Sequence, residues 1–215
     1  MTSPTSHPDQ SATIAAWLSA LATPTATPAG GAAAALAGAL GAALVEMAAG
    51  LTLARERYAA VHPAAGAARE EANRLRNEMV ALATRDAAAF EEFGRALGMP
   101  SATVEERERR ARARAEALRV GADVQLDLLA LLADAADLGL EIAGRGLASA
   151  VGDAATAVFL AAGAARSASW AVRSNLREMG DTELSEERLG TALAILRRIE
   201  ESERKVQRLL EERLA

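Results

Sequence analysis

The sequence predicts an all-α protein: a compact bundle of about six helices around two buried, Ala/Gly-rich central helices. Two observations carry this reading. Of 215 residues, 56 are alanine, the strongest helix former, whereas aromatic residues are only 3% and other strand formers are scarce. Apolar residues also recur at helical spacing in successive stretches separated by Gly, Pro and Asp breaks. The length sets one domain, 11–215, after a Ser/Thr/Pro-rich tail, 1–10, that is expected to be disordered.

Taken in order, Ser11 or Thr13 can cap a short helix, Ile14–Ala22, with Ile14, Trp17, Leu18 and Leu21 on one face. Pro24, Pro28, Gly30 and Gly31 then mark an ordered turn. A long helix follows over Ala32–Val61. Its first half is apolar on all sides, and small residues at Ala34, Gly38 and Ala42 allow another helix to approach closely. His62-Pro63 is expected to end it. A third helix, Ala64–Leu97, places Leu75, Met79, Leu82, Ala89, Phe90 and Phe93 in register before a Gly98–Pro100 stop. Thr103 with Glu106 reads as a capping box for a fourth helix, charged at first and apolar from Val120 to about Ala143. Gly144 and Gly146 break it. A turn over Ser149–Asp153 leads to the second all-apolar helix, which runs to about Arg177. After Gly180-Asp181 a last amphipathic helix spans Glu186–Leu214. Enclosing two all-apolar helices is easier if a second subunit supplies cover, so a homodimer is expected.

Charge and composition exclude several functions. The net charge of −5 lacks the concentrated positive face that nucleic acids and anionic membranes require, and the arginines of the fourth helix are interleaved with acids. Cysteine is absent and only His7 and His62 are present, so a zinc–sulfur site, a thiolate nucleophile and a histidine metal cluster are excluded. The uncharged stretch from Gln10 to Val45 is interrupted by Pro24 and Pro28 and rests on alanine, so a buried core helix is the better reading than a membrane span. No positive segment precedes it, and a cytoplasmic location is expected. Two generic motifs carry little. Gly144-Arg-Gly146 has Ser149 where a dinucleotide fingerprint needs its third glycine, and Ser202–Lys205 matches S-x-x-K on an exposed charged helix.

Three blocks resemble one family. Pro28–Tyr58 carries Pro28, Gly30 and Gly31, an Ala/Gly-rich helix to Leu44, then Met47, Leu51-Thr52, Arg55 and Tyr58. A second block supplies Asp86, Phe90, Ala96 and Pro100, and a third Asp153, Val158, Val172, Arg173, Asn175 and Leu176. In order and spacing these resemble the cyclodeaminase domain of formiminotransferase-cyclodeaminase and its stand-alone relatives, including bacterial methenyltetrahydrofolate cyclohydrolases. The resemblance covers about Ser11 to Ile199. Family lysine positions near Tyr58 are arginine here, and four further positions depart from it. Ala29 and Ala32 stand where the family has a third turn glycine and a serine, Ala171 where it has an asparagine, and Ser101 where it has a lysine.

The resemblance implies a folate one-carbon enzyme, acting on a tetrahydrofolate derivative without a metal or redox cofactor. Its reaction would be opening of the methenyl ring by water or closure of the formimino group with loss of ammonia. Asp153, flanked by very apolar sequence, is the expected acid/base or cation stabiliser, and a helix cap is its plainer role. Gly30, Gly31, Arg55, Asp86, Arg173 and Asn175 are the expected substrate-binding residues. The arginines match glutamyl carboxylates, and the glycines would bring backbone N–H groups to a ligand. Asp86 also reads as an ordinary solvated helix carboxylate, and Arg55 as the partner of a neighbouring acid. The alternative is a catalytically silent family member that persists as a ligand- or partner-binding helical dimer. A weaker option is a subunit of a larger complex held through the charged C-terminal helix.

Overall fold

The computed structural model describes residues 8–9, 11–180 and 182–214; the expected disordered tail lies largely outside them. The elements are α1 (Ile14–Leu21), α2 (Gly30–Leu53), a 3₁₀ segment (Glu56–Val61), α3 (His62–Leu97), α4 (Val104–Arg145), a second 3₁₀ turn (Ala148–Ala150), α5 (Val151–Met179) and α6 (Thr182–Leu214). The six helices and their order agree with the sequence reading.

Local chemistry explains the boundaries. The Thr13 hydroxyl accepts from the Ala16 N–H and opens α1. Thr103 and Glu106 form the reciprocal capping box that opens α4. The long second helix stops at Leu53, earlier than expected, and His62-Pro63 begins a helix rather than ending one. Proline is tolerated in a first turn because its missing N–H would have no intrahelical partner there. At the other end, α2 starts at Gly30, so both glycines belong to its first turn. Likewise α5 starts at Val151 with Ala150 at its cap, which places Asp153 inside the first turn and not at the cap.

Helices α2 to α6 run alternately up and down. Gly38 of α2 lies against Met79 of α3 and Leu132 of α4, and a Cβ there would sit 2.5 Å from Leu132. Gly41 meets Ala157 of α5, and Gly139 of α4 meets Val158. Gly38 of the expected small-residue stripe thus lets α3 and α4 approach α2 closely, and the neighbouring Gly41 does the same for α5. The apolar side chains filling the spaces between them include Leu75, Met79, Leu128, Leu129, Leu132 and Ile199, all fully buried. Helix α6 lies along α4 and is fastened by ions: Arg188 to Asp123, Arg198 to Asp134 and Asp137, with Ser202 donating to Asp137.

Two segments, Gly30–Leu53 and Ala148–Met179, are long and apolar enough to cross a bilayer by length and composition, and half or more of an apolar 18-residue stretch of each lies inside the bundle. Neither is enclosed all round. Leu40, Met47 and Leu51 of α2 and Phe159 and Trp170 of α5 face outward. Phe90 does too, 44% exposed, because Ala89 and Ala96 take the inner face of α3 there.

Candidate functional site

The N-terminus of α2 has no side-chain cap of its own, since its cap residue is Ala29. The missing acceptor comes from another helix. Asp86 of α3 reaches across and its carboxylate accepts the Ala32 backbone N–H. From α4, Gln125 Nε2 donates to Asp86 Oδ1 at 2.6 Å. Gly31 is the floor of this cluster: a Cβ there would fall 2.3 Å from the Gln125 amide nitrogen and 2.4 and 2.5 Å from the two Asp86 oxygens. Gly30 has no such neighbour. Asn175 of α5 packs its amide on Gly121, one turn before Gln125 on α4.

Asp86 is therefore not the solvated carboxylate its helical position suggests. It is half-buried, and burial pushes its carboxyl above its ordinary value, against the opposing pull of the Gln125 and Ala32 donors. Gln125 is 1% exposed and its Oε1 has no hydrogen-bond partner. Sequence reasoning passed over Gln125; the signal was an uncharged amide at the core face of an otherwise Leu/Ala/Val-lined stretch of α4.

The remaining expected residues lie elsewhere. Asp153 is half-buried in the first turn of α5 and, among the described residues, has no hydrogen-bonded or ionic partner. It is about 33 Å along α5 from Asn175 at 1.5 Å rise per residue. Arg55 is exposed, without an acidic partner among the described residues, and its backbone carbonyl contacts His62 Nε2 at 3.2 Å. It stands about 35 Å from Gly31 along α2. This far end is tied by Thr52, whose hydroxyl donates to Ala48 and accepts from Leu147 N–H, and by Tyr58, whose hydroxyl accepts from Ala148 N–H. Arg173 is exposed, with its guanidinium 5.7 Å from the Trp170 ring centroid, and lines a hollow of about 420 Å³ with Arg177 and Leu189. Within one protomer, then, Gly31, Asp86 and Asn175 gather at one end of the bundle, while Asp153 and Arg55 lie at the other.

Such a cluster can hold and move a proton. A carboxyl that burial raises above its ordinary value keeps its proton to higher pH than a free one, and the half-buried edge leaves it open to exchange. Comparison with known proteins gives the family. A methenyltetrahydrofolate cyclohydrolase from Methylorubrum extorquens is 36% identical over 177 residues, spanning 82% of this chain and 85% of that protein. The crystal structure of a formiminotetrahydrofolate cyclodeaminase from Thermotoga maritima has the same fold, with a TM-score of 0.86 over 96% of this chain and 99% of that one, at 24% identity. The formiminotransferase-cyclodeaminase family pattern matches residues 13–193, and the chain belongs to that family.

Proposed function

We propose that the protein is a folate one-carbon enzyme that opens the 5,10-methenyltetrahydrofolate ring with water to give 10-formyltetrahydrofolate, with Asp86 as its acid/base. The observation that carries this reading is the desolvated Asp86 carboxyl held by Gln125 and the α2 N-terminus. The choice of reaction is supported by the cyclohydrolase relative. The related ring closure with loss of ammonia is the second reading, supported by family membership.

The chemistry fits a carboxyl of this kind. The methenyl carbon lies between two nitrogens and shares their positive charge, so an ionised Asp86 beside it offers electrostatic stabilisation. Water adds to that carbon and gives its proton to Asp86. The neutral adduct then collapses: Asp86 returns the proton to the departing ring nitrogen, the C–N bond breaks, and the hydroxyl proton leaves as the formyl C=O forms. One proton is released overall. Gly31, having no side chain, leaves the Asp86 carboxylate and the Gln125 amide the space they occupy against α2, and Asn175 packs on Gly121, one turn before Gln125. Asp153 keeps the role of a far-end group in this scheme, because its own helix carries it away from the Gly31 turn.

The active assembly is a homodimer formed through α2. Leu40, Met47 and Leu51, exposed at steps of seven and four along that helix, make an outward apolar stripe that the half-buried Leu36 extends by one turn. Ile14 and Leu18 of α1 widen it. A cytoplasmic setting suits a reaction on soluble folates. The test is an absorbance assay of methenyltetrahydrofolate with the purified protein: ring opening above the uncatalysed rate supports the reading, and none overturns it.

A further inference from the structure

Gln125 is buried deep in the seam between α3 and α4, yet only one end of its amide is used. Nε2 donates to Asp86 Oδ1 at 2.6 Å, and Oε1 is sealed from water with no donor near it. A buried, unsatisfied carbonyl is costly, and a leucine or methionine of similar size would avoid it. The amide is therefore held in this orientation by what its NH₂ group does for Asp86. A carboxylate can only accept, so the donor end must face it while it is ionised.

We propose that Gln125 is the positioning residue of Asp86: its amide fixes the carboxylate against the first turn of α2 and favours its ionised form. The charges that flank the seam are already engaged. On α2 the sole charged side chain is Glu46, held by Asn73 and Arg76. On α4, Asp123 pairs with Arg119 and Arg188, and Asp127 pairs with Arg85, the neighbour of Asp86 on α3. From α2 the facing group is the Ala32 N–H. Gln125 is thus the side chain that donates to the Asp86 carboxylate from across the seam and opposes the burial that raises its carboxyl.

The proposal builds on the acid/base reading of Asp86, but it is tested on the ligand-free protein, so the two can fail separately. Aspartate carboxyl carbons are labelled with ¹³C, the Asp86 signal is assigned with Asp86→Asn, and its titration is followed by NMR. In Gln125→Leu and Gln125→Met the Asp86 midpoint moves up by about one pH unit, because the donor to the charged form is gone. In the wild-type protein the Gln125 side-chain amide protons move with the same midpoint as the Asp86 carboxyl. An unmoved Asp86 midpoint in the variants, or a Gln125 amide indifferent to that titration in the wild type, overturns the proposal. A titration that behaves as stated in a protein without folate activity would instead remove the proposed reaction and leave the Gln125 assignment standing.

Discussion

Gly31 and Asp86 are in a contact that leaves no room for a side chain: a Cβ on Gly31 would lie 2.4 Å from Asp86 Oδ1. The atoms that would have to move are the free ends of Asp86 and Gln125, so the cost of Gly31→Ala falls on the site more than on the fold. The expected outcome is a stability loss of about 1 kcal/mol in urea denaturation and a rate loss of about 100-fold from the displaced carboxyl. Gly30→Ala, one residue earlier in open space, leaves both unchanged.

Asp86→Asn separates stability from activity. Burial raises the folded-state pKa of Asp86, so the fold favours the protonated form. That contribution is complete below the ordinary carboxylate range and is lost as pH rises through the raised value. Denaturation near pH 4 and near pH 7 is expected to show the variant gaining on the wild type at the higher pH. A gain at the lower pH instead would contradict the assigned burial.

Thr52 is fully buried and used twice, as donor to Ala48 and acceptor from Leu147 N–H. Thr52→Val keeps the shape and leaves the Leu147 N–H unpaired. A loss of about 1–3 kcal/mol is expected in chemical denaturation, whereas Thr52→Ser, which retains the hydroxyl, loses less.

Leu40 is 52% exposed at the middle of the α2 stripe. In the proposed α2 dimer, Leu40→Glu is expected to give monomer in sedimentation velocity while circular dichroism stays helical. A wild type that sediments as a monomer would remove the α2 interface.

The sequence revealed helices more readily than it revealed neighbours. Thr103 with Glu106 is a local signal, and the capping box is where it was expected. Ala34, Gly38 and Ala42 announced close packing because small residues at spacing four have few other uses; all three are buried, and Gly38 lies against α3 and α4. The start of α2 was misplaced because its cap is not adjacent in the chain: it comes from Asp86, on another helix. The same distance hid Gln125, whose meaning depends on a partner 39 residues away. Asp153 attracted attention through its apolar flanks, yet apolar flanks show that a helix is buried, not which end of it meets a ligand. In the fold it stands in the first turn of α5, far from Gly31.

The most direct measurement compares methenyltetrahydrofolate ring opening by the wild type, Asp86→Asn and Asp153→Asn, each checked for helical content. The account predicts a rate loss of about 100- to 10,000-fold for Asp86→Asn and a much smaller one for Asp153→Asn. Full activity in Asp86→Asn, with collapse in Asp153→Asn, would contradict it and move the chemistry to the opposite end of the bundle.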